Sequence, residues 1–352
     1  MGRAAMSLII LKPGFFTTVQ DLGRNGWRKD GLPAGGAMDR YALRTANLLV
    51  GNDEGAAGLE LTLVGPTFTT ERDMLLAICG AYMSPQMDDG ELPMWRPVWV
   101  AAGSRITFGA ASAGCRAYIA VAGGIDAAAV LGSRSTDVRA RIGGVDGRPL
   151  QAGDALPCGE RGSDSGARAA WARLWRAGLA ARAAAEPRGR DGFAAPGWFA
   201  PPLAYGGGAA DGIELRAMPG SEFGRLSAAA RTAFFTERFN VAPASDRMGV
   251  RLAGPPLEQR YSTELLSHGV VPGTVQLPYG GNPIVLAADC QTTGGYPKIA
   301  HVIAADLPLL AQARPGAAIF FREVALAEAQ RIELAFEREM RHLAAGIRCQ
   351  LP

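Results

Sequence analysis

The chain has 352 residues, 48% of them hydrophobic and 20% charged, with a formal net charge of +3; that suffices for roughly two domains of about 150 residues each. The mild positive balance, without any Lys/Arg run, argues against a nucleic-acid surface, and the five irregularly spaced cysteines, Cys79, Cys115, Cys158, Cys290 and Cys349, argue against a disulfide framework or structural zinc site and read as reduced, mostly buried thiols. No apolar run approaches the ~18 residues of a membrane span or the ~7–15 of a signal peptide, so a cytoplasmic protein without a membrane partner is expected.

In chain order, 46 glycines and 23 prolines separate short apolar runs, which is the signature of strands and turns. Residues 8–11 read as a strand ending at Pro13-Gly14. Residues 39–50 carry apolar side chains at Tyr41, Ala42, Ala46, Leu48 and Leu49, with Asp39 as N-cap and Gly51-Asn52 as stop, and predict a helix. Strands follow at residues 59–64, 74–79, 98–101, 105–108 and 117–122. Residues 159–208 are rich in Gly, Ala, Arg and Pro and read as a linker with a helix over 167–185. Helices are also expected within 226–239 and over 325–347. A faint echo between residues 103–108 and 316–321, each a glycine turn entering a strand, weakly suggests two related lobes. The expected layout is an N-terminal β-rich lobe over 7–158, the linker over 159–208, a C-terminal β lobe over 209–335 and a helical tail over 336–352.

The inventory of chemistry excludes several classes. His268, His301 and His342 form no paired-ligand spacing, so no metal site is expected. There is no P-loop, no nucleophile elbow and no biotinyl-lysine segment, so the chain carries no biotin of its own. Polar signal concentrates in residues 289–298. Asp289, Gln291, Thr292, Thr293, Gly294, Gly295, Tyr296 and Lys298 follow a buried-type strand there; Lys298 is one of only three lysines, with Lys12 and Lys29. A Gly-Gly pair lets backbone approach a ligand, and Asp289 suits a base or an orienting partner for Lys298; an ornate hairpin turn fits equally. In residues 245–254, Asp246 and Arg247 form either an ion pair or, through Arg247, a carboxylate grip. In residues 13–39, Gln20, Asp21 and Arg24 are either turn chemistry or site residues. Gln276 is an amide at a barrel mouth or a satisfied strand residue.

Together these segments resemble one family: the biotin-dependent carboxyltransferase-like proteins, which include allophanate hydrolase subunit 2, the C subunit of 5-oxoprolinase, the sporulation regulator KipA and part of the carboxyltransferase region of urea carboxylase. The strings that carry the resemblance are Thr17-Thr18-Val19-Gln20-Asp21 with Gly23-Arg24, Gly36-Ala37-Met38-Asp39, Ala46-Asn47-Leu48-Leu49-Val50-Gly51-Asn52, Gly123-Gly124-Ile125, Leu131-Gly132-Ser133-Arg134-Ser135-Thr136, Ser245-Asp246-Arg247-Met248-Gly249 and Gln291-Thr292-Thr293-Gly294-Gly295-Tyr296-Pro297. The resemblance implies a mainly β fold of cyclophilin-like barrel architecture. It implies a partner resembling the family's B-type subunit, or KipI, together with a third subunit. It also implies ATP-driven opening of 5-oxoproline to glutamate, the ATP bound with or by a partner. Two alternatives follow from the same resemblance: transfer of carboxyl from carboxybiotin on a separate carrier to urea or a urea-like amide, and a regulatory binding role like that of KipA. Side-chain chemistry then assigns expected roles. Asp289, Lys298 and Asp21 are the catalytic candidates, Asp289 or Asp21 as proton acceptor and Lys298 with the Thr292-Thr293-Gly294 backbone stabilising an oxyanion. Arg247, Gln20, Arg24, Asp246, Gln276, Gln291, Gly295 and Tyr296 are expected to bind substrate.

Overall fold

The computed structural model describes residues 6–87, 90–159, 193–203, 212–260 and 265–350. The helix expected over 167–185, and with it most of the linker, lies outside the described residues. The chain groups into two compact units. One comprises Met1–Gly23, Asp39–Leu203 and His342–Pro352; the other comprises Arg24–Met38 and Ala204–Arg341.

The strands of the first unit are β1 (Met6–Lys12), β2 (Phe16–Gln20), β3 (Gly58–Thr62), β4 (Thr67–Thr70), β5 (Met74–Tyr82), β6 (Gln86–Met87), β7 (Gly90–Glu91), β8 (Pro97–Val100), β9 (Arg105–Thr107), β10 (Ala113–Val121), β11 (Ala155–Cys158) and β12 (Phe193–Ala194). They form two six-stranded sheets, ordered β11-β1-β4-β9-β6-β7 and β12-β8-β5-β10-β3-β2. Side chains alternate across a strand, so Leu8, Ile10, Phe68 and Ile106 of one sheet meet Leu59, Leu61, Leu76, Ile78 and Ile119 of the other in one core. Truncating any one of these leucines or isoleucines costs about 2–5 kcal/mol. The opposite face of β5, with Leu75, Ala77 and Cys79, is buried as well, and the helix Arg40–Leu49 packs there. Asp39 caps that helix as expected, its carboxylate accepting from the Ala42 N–H at 2.9 Å, and Gly51 follows it at φ 75°, a left-handed turn that glycine enters without strain.

The second unit is built on a closed barrel. Its strands are β13 (Ile213–Pro219), β14 (Phe239–Val241), β15 (Gly249–Ala253), β16 (His268–Gly269), β17 (Thr274–Gln276), β18 (Ile284–Leu286), β19 (Thr293–Gly294), β20 (Lys298–Val302) and β21 (Ala318–Glu323). The barrel runs β13-β20-β17-β18-β15-β14-β21 and closes through the parallel pairing of β21 with β13; β16 and β19 make a separate two-stranded ribbon. Leu215, Val250, Val275, Val285, Ile299 and Ile319 point into the barrel with Phe239 and Phe321. The helix Ala228–Thr236, capped by Ser227, closes the core by stacking Phe234 on Phe321 at 4.4 Å between ring centres. Outside the barrel wall, Ile284 and Leu286 of β18 pack with Val270 and Cys290. Met38 packs with Ala287 and Ala311, which fastens the segment Arg24–Met38 to this unit.

The mainly β architecture with a barrel and two β-rich lobes agrees with the sequence reading. The C-terminal helix spans Leu326–Cys349, close to expectation. The short helix Leu307–Gln312 has no counterpart in the sequence reading. No described helix is long and apolar enough to cross a membrane.

Candidate functional site

The second unit gathers most of the predicted polar residues on the outer wall of its barrel. On β17, Val275 faces the core and Gln276 therefore faces outward. On β20, Ile299 faces the core and Lys298 faces outward. The ladder pairs Val275 with Ala300 and Gln276 with Lys298, leaving Ile299 as an extra residue. This bulge sets Gln276 and Lys298 side by side, the kind of local re-aiming that bulges provide. Both side chains are nonetheless buried, at 2% and 5% exposure. The cover over Gln276 is Gly294 of the ribbon: a Cβ added there would fall inside van der Waals contact with Gln276 Nε2. Glycine is required at 294 for that reason.

Hydrogen bonds fix the surrounding groups. Lys298 Nζ donates to the Gly294 carbonyl at 2.7 Å, and the Lys298 N–H donates to Glu222 Oε2 at 2.8 Å. His268 Nε2 stands 3.7 Å from Glu222 Oε1. Gln291 Nε2 donates weakly to Gln276 Oε1, at 3.4 Å, whereas Gln276 Nε2 has no hydrogen-bond partner among the described residues. Burial pulls the Lys298 ammonium below its ordinary pKa, the Glu222 carboxylate opposing that shift in part. Burial pushes Glu222 upward, but the Ser221 hydroxyl, the Lys298 N–H and the charges of His268 and Lys298 outweigh it and hold the carboxyl below its usual value. On the far side of the ribbon, Arg28 donates to the carbonyls of Val270 and Gln291, the latter at 3.2 Å. Burial raises the Cys290 thiol beside it, with Arg28 pulling the other way.

Arg247 and Asp289 form a second, adjoining piece. Arg247 Nε and Nη2 donate to the two Asp289 oxygens at 2.7 and 2.9 Å, a bidentate pair, and Nη2 also donates to the Gly36 carbonyl at 2.6 Å. A side chain at Gly35 would meet Arg24 Nη1 at 3.5 Å and Asp289 Oδ1 at 3.6 Å, so the segment bearing Arg24 lies against this pair. Asp246 does not pair with its neighbour. Its carboxylate accepts from the N–H groups of Met248 and Gly249 and caps a turn. Thr292 accepts the Val270 N–H through its carbonyl at 3.0 Å, Thr293 and Gly294 form β19, and Gly295 is half-buried. Tyr296 is exposed and packs edge-on against Tyr279 at 6.3 Å.

Gln20 and Asp21 belong to the first unit. The Asp21 carboxylate accepts from Gly23 N–H at 2.7 Å, Arg134 N–H at 2.6 Å and the hydroxyls of Ser133 and Ser135 at 2.7 and 2.6 Å. Gln20 Nε2 donates to Thr18 Oγ1 and to the Thr136 carbonyl. The catalytic and binding roles given to these two from sequence have no such network in view, because most of the partners lie more than a hundred residues away in the chain. Glu222, His268 and Arg28 escaped the sequence reading. Glu222 and His268 sit in segments that the sequence reading did not single out, Arg28 lies in the singled-out stretch 13–39 but was passed over there, and only the folded second unit brings them to residues 289–298.

Known proteins resemble this chain over most of its length. Residues 30–323 match the family described as carboxyltransferase domain, subdomain A and B. The C subunit of 5-oxoprolinase from Escherichia coli (strain K12) is 40% identical over 339 residues, covering 96% of this chain and 97% of that protein. The subunit of the same name from Haemophilus influenzae is 37% identical and is covered to 90%. The crystal structure of the K. lactis urea amidolyase superposes with a TM-score of 0.79 at 26% identity, covering 97% of this chain but only 20% of that much longer one. The chain belongs to the family of carboxyltransferase domains built from subdomains A and B.

Proposed function

We propose that this chain is the C-type subunit of a 5-oxoprolinase complex that opens the lactam of 5-oxoproline to glutamate with ATP, and that its cluster on the barrel wall binds the lactam. One observation carries this reading: the match to the C subunit of the Escherichia coli 5-oxoprolinase spans 97% of that protein at 40% identity. The urea amidolyases match at 29–30% over 16–18% of their length, which makes carboxyl transfer the more distant reading.

In this proposal Lys298 and Gln276 face the lactam carbonyl, where donors in a buried setting stabilise the charge that develops on oxygen as the amide opens. Asp289 acts as a positioning residue: both its oxygens are taken up by Arg247, and the pair braces the turn that leads into the ribbon. Tyr296 and Tyr279 form the outer rim. We assign ATP to a partner, a B-type or KipI-like protein with a third subunit beside it. The chain has no biotinyl-lysine segment, so carboxybiotin would have to come on a separate carrier. A cytoplasmic setting follows from this metabolic role.

The test is ATP-dependent glutamate release from 5-oxoproline by the complex purified with its genomic-neighbour subunits, and again with this chain left out. Activity that requires the chain is the expected result. A stable complex without activity on 5-oxoproline overturns the proposal and points to carboxyl transfer onto a urea-like amide or to a regulatory role.

A further inference from the structure

From the barrel wall we infer that Gln276 is the specificity-determining residue of this protein, and that it selects substrates whose amide N–H and C=O lie on the same edge, as in a lactam or urea. The inference rests on the cluster being the substrate site. A carboxamide is a paired donor and acceptor: Nε2 carries hydrogens and Oε1 carries lone pairs, side by side in one plane. A cis-amide presents the mirror pattern, so the two join through a pair of parallel hydrogen bonds, Gln276 Nε2–H to the substrate oxygen and the substrate N–H to Gln276 Oε1. An open-chain trans amide points its N–H and C=O in opposite directions and can make only one of the two.

Three features of the structure meet this requirement. Gln276 is 2% exposed and yet its Nε2 has no hydrogen-bond partner among the described residues, an arrangement that costs about 1–3 kcal/mol. Its Oε1 is engaged by Gln291 at 3.4 Å, a bond long enough for a better donor to replace. Finally, the group covering it is a glycine, Gly294, whose backbone packs so closely on the amide that no side chain fits between them, so the amide is reached only when the ribbon moves. Entry requires the ribbon to lift. β16 and β19 are two residues each, too short to be stable alone. The contacts that hold the ribbon include ones a ligand can exchange, the Lys298 ammonium on the Gly294 carbonyl and Gln291 on Gln276, beside those of Arg28 to the Val270 and Gln291 carbonyls. When the ribbon moves, that ammonium is released toward the same carbonyl oxygen that Gln276 would hold. The recognition of the lactam and the freeing of Lys298 are thereby one event.

The experiment compares wild type, Gln276→Glu and Gln276→Met in the assembled complex, with Gly294→Ala as a variant that reaches the same amide from the other side. Kinetics on 5-oxoproline are read together with direct calorimetric binding of three probes: 5-oxoproline, its N-methyl derivative, which lacks the lactam N–H, and the trans amide N-acetylglycine. Wild type is expected to prefer 5-oxoproline over both by about tenfold or more, the scale of one lost bond to a buried polar group. Both Gln276 variants are expected to raise KM by a similar factor and to lose that preference, while Gly294→Ala raises KM through the displaced amide. Unchanged KM and unchanged preference in folded Gln276→Met overturns the inference, as does tight binding of the N-methyl compound by wild type. Failure of the functional reading looks different: wild-type complex then has no turnover, while the binding arm, run also with urea, still reports whether Gln276 selects the syn edge.

Discussion

Asp21 and Gln276 are both buried polar side chains at the end of a strand, one in each unit, and their surroundings differ in kind. Four donors converge on the Asp21 carboxylate at 2.6–2.7 Å, drawn from residues 23 and 133–135. Gln276 has one long contact and an idle amide nitrogen among the described residues. A buried charge is tolerated when neighbours saturate it, so the first arrangement is what architecture requires. The second keeps hydrogen-bonding capacity in reserve, which lowers stability and is useful only if something arrives to use it. Polar burial is therefore a poor guide to function by itself; the degree of satisfaction separates the two cases.

The sharpest way to break this contrast is Asp21→Ala. Four donors would be left facing one another in a buried setting, and the expected loss is about 3–5 kcal/mol in denaturant unfolding. Asp21→Asn keeps the shape and is expected to lose less. Turnover per folded complex should remain near wild type for Asp21→Asn; a folded variant with turnover reduced about a hundredfold, the scale of a lost acid–base group, would return Asp21 to the catalytic candidates. Next in size is Lys298→Met. Loss of a donor to a developing oxyanion costs about 10²–10³ in kcat, and steady-state kinetics of the complex should show it with little change in thermal midpoint. A full loss of folding at Lys298→Met with normal kinetics in Lys298→Arg would instead make Lys298 architectural, like Asp21.

The sequence was most informative where chemistry repeats locally. The helix after Asp39 was readable because cap, apolar spacing and stop all lie between residues 39 and 52. The strands at residues 8–11 and 74–79 were readable because apolar runs end in Gly or Pro. Residues 289–298 stood out by composition, and Gln291, Gly294 and Lys298 do come together there with Gln276. The pairing of Arg247 with Asp289 in place of Asp246 was not readable, because the partner is 42 residues away and an adjacent carboxylate is the nearer guess. Glu222 and His268 were invisible for the same reason: β13, β20 and the ribbon must form before they meet Lys298. Nor does any local pattern announce that Arg24–Met38 groups with the second unit, since its fastening is long-range, by Met38 on Ala287 and Ala311 and by Gly35 N–H on the Ala288 carbonyl.

The smallest expected effect is the most discriminating about how Lys298 is tuned. Glu222 raises the pKa that burial lowers at Lys298. Removing it in Glu222→Gln should let the ammonium lose its proton at lower pH, so the alkaline limb of the pH–rate profile moves toward neutrality. Glu222→Asp should restore part of the wild-type position if the charge matters, whereas a merely structural role would leave the limb in place and change only stability. Stability itself should carry the opposite signature of the carboxylate. The folded pKa of Glu222 is lowered from 4.5, so its contribution is fully present above that value and fades as pH falls through the lower folded value. Wild type and Glu222→Gln should therefore differ in denaturation midpoint at pH 7 and converge in acid. A gap that persists below the folded pKa would mean that Glu222 acts by packing, and that the depressed ammonium of Lys298 owes its state to burial alone.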